Sequence, residues 1–273
     1  MADLRLMAIL AHPDDESLGC GGTLAKYASE GVAVHLVTAT LGARGRFHGR
    51  RFGTEGHPGP KHMATVREQE LRQAAATLGV REVSLLGYRD QEVDQANPAE
   101  AVGRIASHLR RVRPQVVLTF AGDGAYGHPD HIAISQFTGA ALVAAADATF
   151  RIPGDANPPH RVDKLYHLAW GSEGWRMYQE AFGPVATTVD GSRREAAPWP
   201  DWAVTTRIDT RAWWQVVWRA ISCHASQVSA YEPLQRLTPA QHEALWGYQA
   251  YYRVFSFVNG GRRLESDLFE GLR

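Results

Sequence analysis

Two short segments hold most of the residues able to do chemistry. One reads Ala11-His12-Pro13-Asp14-Asp15-Glu16, the other Tyr126-Gly127-His128-Pro129-Asp130-His131. A hydrolytic zinc needs about three protein ligands of imidazole or carboxylate type, with one position open for water. His12, Asp15 and His131 would supply two imidazoles and one carboxylate. Asp14 is adjacent, need not be a ligand, and could take the proton from the water. His128 precedes His131 by three residues, so the two need not share a metal. It could face the scissile group as a cation or proton donor, with Asp130 nearby to hold it. A single His-Pro-Asp in a loop reads as a turn. Two of them, each closing an apolar strand, read as a site, because buried acids and histidines in such number are costly without a metal.

The elements that must position these segments follow from the hydrophobic pattern. Residues 4–11, 32–39 and 115–120 are nearly continuous apolar runs of the kind found in buried parallel strands, and 82–86 is a shorter one. Helices are expected over 23–30, 65–78, 98–112 and 131–146; Gly31 and Gly79 stop the first two and Asn97-Pro98 opens the third. This alternation predicts an α/β fold of Rossmann-like, three-layer architecture, with a mostly parallel sheet. Sites in such sheets form beyond the carboxyl ends of the strands, where both motifs lie. The second half is less regular. Residues 150–160 read as a loop, 162–170, 203–208 and 251–258 as strands, and 210–224 as a helix with several Trp. The Gly-, Pro- and Arg-rich stretch 183–202 reads as a lid or surface excursion. The whole chain, 1–273, is read as one domain, with 1–150 as its core portion and 151–273 completing the sheet and pocket.

Composition narrows the field. Lys plus Arg and Asp plus Glu number 29 each, so net charge gives no argument for nucleic acid or membrane partners. Two cysteines, Cys20 and Cys223, exclude a disulfide framework or a Cys-rich zinc site; they read as two buried free thiols, with one bridge between them as the alternative. The apolar stretch 6–11 is too short for a signal sequence, and no run approaches the ~18 residues of a membrane span. The cytoplasm is the default compartment; homo-oligomerisation stays open.

With Leu18-Gly19-Cys20-Gly21-Gly22 behind the first motif and Gly127-His-Pro-Asp-His131 as the second, the chain resembles the LmbE/PIG-L family of zinc N-deacetylases. Further echoes are Arg67 with Glu70-Leu71, Leu86-Gly87-Tyr88-Arg89-Asp90, and His224-Ala225-Ser226-Gln227. The resemblance is close over residues 4–145 and patchy beyond. It implies zinc ligation by His12, Asp15 and His131, Asp14 as general base, and His128 as oxyanion stabiliser or general acid, oriented by Asp130. Tyr126 would help to polarise the amide carbonyl, and Arg67 and Asp90 match positions that bind the sugar or its attached group. The implied substrate is a small amino sugar or glycoconjugate bearing an N-acyl, above all N-acetyl, group. A larger thiol-conjugate or natural-product amide, or a metal-binding protein without turnover, are the rivals. Iron(II) could occupy the same ligands, since nitrogen and oxygen donors do not select strongly for zinc.

Two weaker signals remain. The loop Gly42–Arg51 carries Arg44, Arg46, Arg50 and Arg51, where relatives often carry an acid; Arg44 is the candidate contact to an anionic substrate group, with a solvated basic loop as the alternative. Gly19, Gly21 and Gly22 lack dinucleotide-loop spacing, which also argues against a nucleotide-binding oxidoreductase, and read as close packing of the first helix on the sheet.

Overall fold

The apolar runs fold as buried strands at the centre of a seven-stranded sheet. The computed structural model describes residues 3–230 and 232–273. Strands β1 (Arg5–Leu10), β2 (Ala33–Thr40), β3 (Glu82–Tyr88), β4 (Val116–Thr119) and β5 (Lys164–Ala169) are mutually parallel. Between them run helices α1 (Asp15–Ser29), α2 (Pro60–Thr77), α3 (Pro98–Val112) and α4 (Pro129–Ala146). The sheet order is β3-β2-β1-β4-β5, continued by two antiparallel strands, β9 (Tyr248–Ser256) and then β8 (Thr206–Asp209). This is the expected α/β architecture with a mostly parallel sheet. Strand order reverses between β1 and β4, and both His-Pro-Asp segments leave the sheet there.

The local causes are visible in the caps. Asn97 accepts the backbone N–H groups of Ala99 and Glu100 at the start of α3, and Pro98 follows as its first residue. Helix α1 departs from expectation. It begins at Asp15, inside the motif, rather than at residue 23, and is interrupted at Cys20, whose φ of −145° is non-helical. Its glycines serve packing, as expected: a Cβ on Gly22 would lie 2.7 Å from Thr210 Cβ. Both cysteines are free, Cys20 buried and Cys223 half-buried.

The C-terminal half holds elements the pattern did not disclose. Helix α5 (Ser172–Phe182) follows β5, and a separate two-stranded hairpin, β6 (Ala186–Val189) with β7 (Ser192–Glu195), occupies the expected excursion. Helix α6 (Trp214–Cys223) packs on α7 (Pro239–Trp246). Trp214 and Trp218 lie against His242, with ring centroids 5.5 and 4.9 Å away, so these tryptophans serve packing. Among the described residues no helix is long and apolar enough to cross a membrane.

Candidate metal centre

The first motif leaves β1 through a strained turn. Asp14 has φ 96° and ψ −25°, a left-handed conformation that costs a non-glycine residue about 1–3 kcal/mol and persists only where its surroundings impose it. They do so from two sides. The Asp14 N–H donates to Glu16 Oε2 at 3.0 Å. Arg67, buried on α2, donates to Asp14 Oδ2 at 3.0 Å, to the carbonyl of Gly42 at 3.1 Å and to the carbonyl of Pro13. Glu16 is itself wholly buried and is met by His224 Nε2 at 2.7 Å, also wholly buried. Burial pulls the His224 pKa down, but the Glu16 carboxylate outweighs it and the pKa is raised. The result is a buried ion pair beneath the turn that carries Asp14.

The second motif leaves β4 through Gly124–Gly127, a single turn that is non-helical at Ala125 and Tyr126, and then enters α4. His131 stacks on Phe120 with centroids 3.9 Å apart. Its Nδ1 faces the carbonyl of Gly124 at 3.2 Å, so Nδ1 carries the proton and Nε2 presents a lone pair. His12 is the mirror case. Its Nε2 lies 3.0 Å from Asp130 Oδ2 and 3.4 Å from Asp90 Oδ1, which leaves the lone pair of the neutral ring on Nδ1. These two lone pairs face each other at 3.2 Å. Asp15 adds one oxygen 3.6 Å from His12 Nδ1 and the other 3.5 Å from His131 Nε2.

With both rings neutral, three acceptors converge without a proton between them and repel one another unless a cation lies between. Their spacing suits one, since ligands about 2.0–2.1 Å from a tetrahedral zinc stand roughly 3.4 Å apart. The carboxylate behind His12 is the usual support of a metal-binding imidazole. Burial, the largest influence on His131, drives its pKa down to about 3 and leaves it neutral. Burial opposes charge on His12, yet Asp130, Asp15 and Asp90 outweigh it and raise the pKa well above the ordinary value, so a proton competes with a cation here. Burial also works against the Asp15 carboxylate, but His131 and His12 hold its pKa well below the usual range.

His128 was expected outside the metal set, and one of its ring nitrogens lies within 4.8 Å of a nitrogen on each of His12 and His131. Its Nδ1 accepts the N–H of Asp130 at 3.2 Å and caps α4. In the neutral ring the proton is therefore on Nε2, which makes this nitrogen a donor rather than a ligand. Burial and the neighbouring His12 both lower its pKa. The expected Asp130–His128 pairing is corrected in detail. The Asp130 carboxylate serves His12 and accepts from the N–H groups of Gln91 and Val93 at 2.7 and 3.0 Å; only its backbone meets His128.

A cavity of about 440 Å³ opens beside this cluster, lined in part by Asp14, Asp15, His131, Tyr126, Arg46 and Trp199. The hairpin segment forms one wall. Trp199 Nε1 donates to Asp123 Oδ2 at 3.0 Å, and Arg194 donates to the carbonyl of Gly127 at 2.9 Å. Arg194 lies so close over Gly127 that a Cβ there would meet its Cδ at 2.7 Å. None of the three expected substrate contacts lines the cavity. Arg67 brackets the Asp14 turn, Asp90 faces His12 and the Arg44 N–H, and the Arg44 guanidinium is paired with Glu92 at 2.6 Å. Arg46 is the member of the basic loop that reaches the cavity.

Comparisons with known proteins bear on this geometry. The family described as PIG-L: GlcNAc-PI de-N-acetylase matches residues 7–142. A 1D-myo-inositol 2-acetamido-2-deoxy-alpha-D-glucopyranoside deacetylase of Kineococcus radiotolerans is 35% identical, over 98% of this chain and 83% of that protein. The N,N'-diacetylchitobiose deacetylase of Pyrococcus horikoshii superposes with a TM-score of 0.66 at 20% identity, covering 92% of this chain and 83% of that one. The 4-carboxy-2-hydroxymuconate hydratase GalB of Pseudomonas putida superposes equally well, with a TM-score of 0.67 at 20% identity over 94% and 99% of the two chains. The shared fold thus leaves the reaction open, and the site must decide it.

Proposed function

Because the chain belongs to the PIG-L: GlcNAc-PI de-N-acetylase family, we propose that it hydrolyses the N-acetyl amide of an amino sugar or small glycoconjugate, using a zinc ion held by His12, Asp15 and His131. The observation that carries this reading is the convergence of His12 Nδ1, His131 Nε2 and the two Asp15 carboxylate oxygens within 3.2–3.6 Å of one another. Held by these three residues, such an ion would supply a Lewis acid for the acyl oxygen and would lower the pKa of a water from ~15.7 toward ~7. Iron(II) fits the same donors.

The chain's own residues do the rest. Asp14, held in its strained turn by Glu16 and Arg67, takes the proton of the attacking water. His128, with its proton on Nε2, donates to the developing oxyanion, a contribution worth about 3–4 kcal/mol per well-placed donor. Burial raises the Tyr126 pKa well above its ordinary value, so its hydroxyl stays protonated and is a second donor on the cavity wall. Asp130 and Asp90 keep the His12 lone pair turned toward Asp15 and His131. Trp199 forms part of the cavity wall, and Arg46 at the cavity is suited to a polar group of the substrate.

The test is acetate release from a panel of N-acetylglucosamine conjugates. Zinc-loaded protein should release acetate, a stripped sample should not, and Asp14→Asn should lose ~10²–10⁴-fold while retaining its metal. Zinc-loaded protein that releases acetate from no conjugate would overturn the reading.

A further inference from the structure

We propose that Arg194 and Trp199, on the hairpin segment, are positioning residues for Tyr126, latching from outside the turn that sets its ring beside His131. The inference rests on the deacetylase reading and deepens it, because Tyr126 is the second oxyanion donor there. The turn does not hold itself. Ala125 has φ 66° and ψ −58°, close to a γ-turn conformation that is rare and strained. A residue other than glycine stays in such a conformation only where its surroundings impose it. Tyr126 follows directly, with its ring centroid 5.3 Å from that of His131, so its direction depends on the strained residue being held.

The surroundings act from two sides. On the inner side the Gly124 carbonyl meets His131 Nδ1 at 3.2 Å. Asp123 closes the turn on itself: its Oδ1 accepts the Ala125 N–H and its carbonyl the Gly127 N–H, both at 3.0 Å. On the outer side both strands of the β6–β7 hairpin lie against the turn. Arg194 Nη1 donates to the Gly127 carbonyl at 2.9 Å. The aliphatic part of the same side chain covers Gly127, where an added Cβ would stand 2.9 Å from Arg194 Cβ. Trp199 Nε1 donates to Asp123 Oδ2 at 3.0 Å. The two latches therefore bracket Tyr126, one at each end of the turn. His128 is secured separately, by α4: its Nδ1 accepts the Asp130 N–H at 3.2 Å and its carbonyl the Ile132 N–H at 3.1 Å. That assigns the latches to Tyr126 rather than to His128. Val185, Ala186, Ala197 and Trp199 of the same segment line the cavity, so a substrate packed there touches the segment that holds the turn; Arg194 itself lies outside the lining.

Arg194→Ala removes one latch, and Trp199→Phe removes the other while keeping a ring in the wall. Arg193→Ala is the control, since Arg193 is exposed on the same strand and pairs with Glu195. The substrate is the N-acetylglucosamine conjugate that the wild type cleaves fastest. Arg194→Ala should lower kcat on the order of tenfold with KM within about twofold, the pattern of an interaction made in the transition state. Trp199→Phe should lower kcat less, Arg194→Lys should recover most of the loss, and Arg193→Ala should leave kcat unchanged. In a Tyr126→Phe background the further loss from Arg194→Ala should shrink to about twofold or less, because the two residues act as one unit. A loss that persists undiminished in that background, or an unchanged kcat in Arg194→Ala, would overturn the proposal. Amide hydrogen exchange over residues 121–127, in zinc-loaded protein without substrate, separates this proposal from the deacetylase reading because it needs no turnover. Exchange on the order of tenfold faster in Arg194→Ala, and unaltered in Arg193→Ala, supports the latch even if no acetate is released. Exchange as slow as in the wild type refutes it even if acetate is released.

Discussion

Two buried acids, each paired with a cation far along the chain, solve different problems. Glu265 sits where β5, β9 and β8 meet the C-terminal segment, 2% exposed. Lys164, Arg253 and Asn259 converge on its Oε1 at 2.8, 2.8 and 2.6 Å, and Tyr166 and Thr206 on its Oε2 at 2.9 and 2.8 Å. Glu16, under the metal centre, has fewer partners: His224 and Ser17 on one oxygen and the Asp14 N–H on the other. The Glu265 network ties sheet to tail and touches none of the reacting groups. Glu16 spends one oxygen on holding Asp14, the proposed general base, in a conformation it would not adopt alone. The contrast separates a buried charge that supports the fold from one whose cost is spent on geometry at the site.

Three perturbations probe that contrast. Glu16→Ala should have the largest effect. Removing one member of a buried pair costs about 3–5 kcal/mol, read by denaturant unfolding. Release of the Asp14 turn should lower kcat by up to ~10²-fold while bound zinc stays stoichiometric. A variant that lost stability but kept wild-type kcat would reduce Glu16 to a second Glu265. Glu265→Gln comes next: about 1–3 kcal/mol of stability from a network left imperfectly matched, with kcat for released acetate unchanged. A fall in kcat there would break the comparison from the other side. The smallest effect lies in pH. Burial raises the Glu265 pKa, but Lys164, Asn259, Thr206 and Tyr166 outweigh it and bring it from 4.5 to about 2. A carboxyl depressed in the folded state stabilises above its unfolded pKa and loses that contribution as pH falls through the folded one. Unfolding midpoints of the wild type should therefore drop between about pH 4.5 and 2, and those of Glu265→Gln should drop less. Parallel curves would remove Glu265 as the source.

The parallel half was largely readable in advance because β1, β2 and β4 are buried on both faces and announce themselves as nearly unbroken apolar runs. Helix α3 matched its expected span, since Asn97-Pro98 marks the start chemically. The beginning of α1 was hidden because the polar residues that open it are the site residues themselves. Helix α5 is short and lies in a stretch with no strong start signal, whereas α7 had one: Thr238-Pro239-Ala240-Gln241 forms a capping box. Among the site residues, types and motif positions were legible but directions were not. Nothing local says that the Asp130 carboxylate turns to His12, or that Arg46 and not Arg44 reaches the cavity. His224 stood out in the sequence only as part of an echo of other chains, because its partner is set by the fold and not by its neighbours.

That last separation has a consequence for biosynthesis. All three proposed metal ligands have been made once residue 131 has left the ribosome, whereas Glu16 waits 208 residues for His224. A nascent chain that has folded its parallel strands can therefore assemble the donor triad with the turn before it still unsecured. If Asp14 is the base, competence for hydrolysis comes late in synthesis, once His224 is in place beneath the turn.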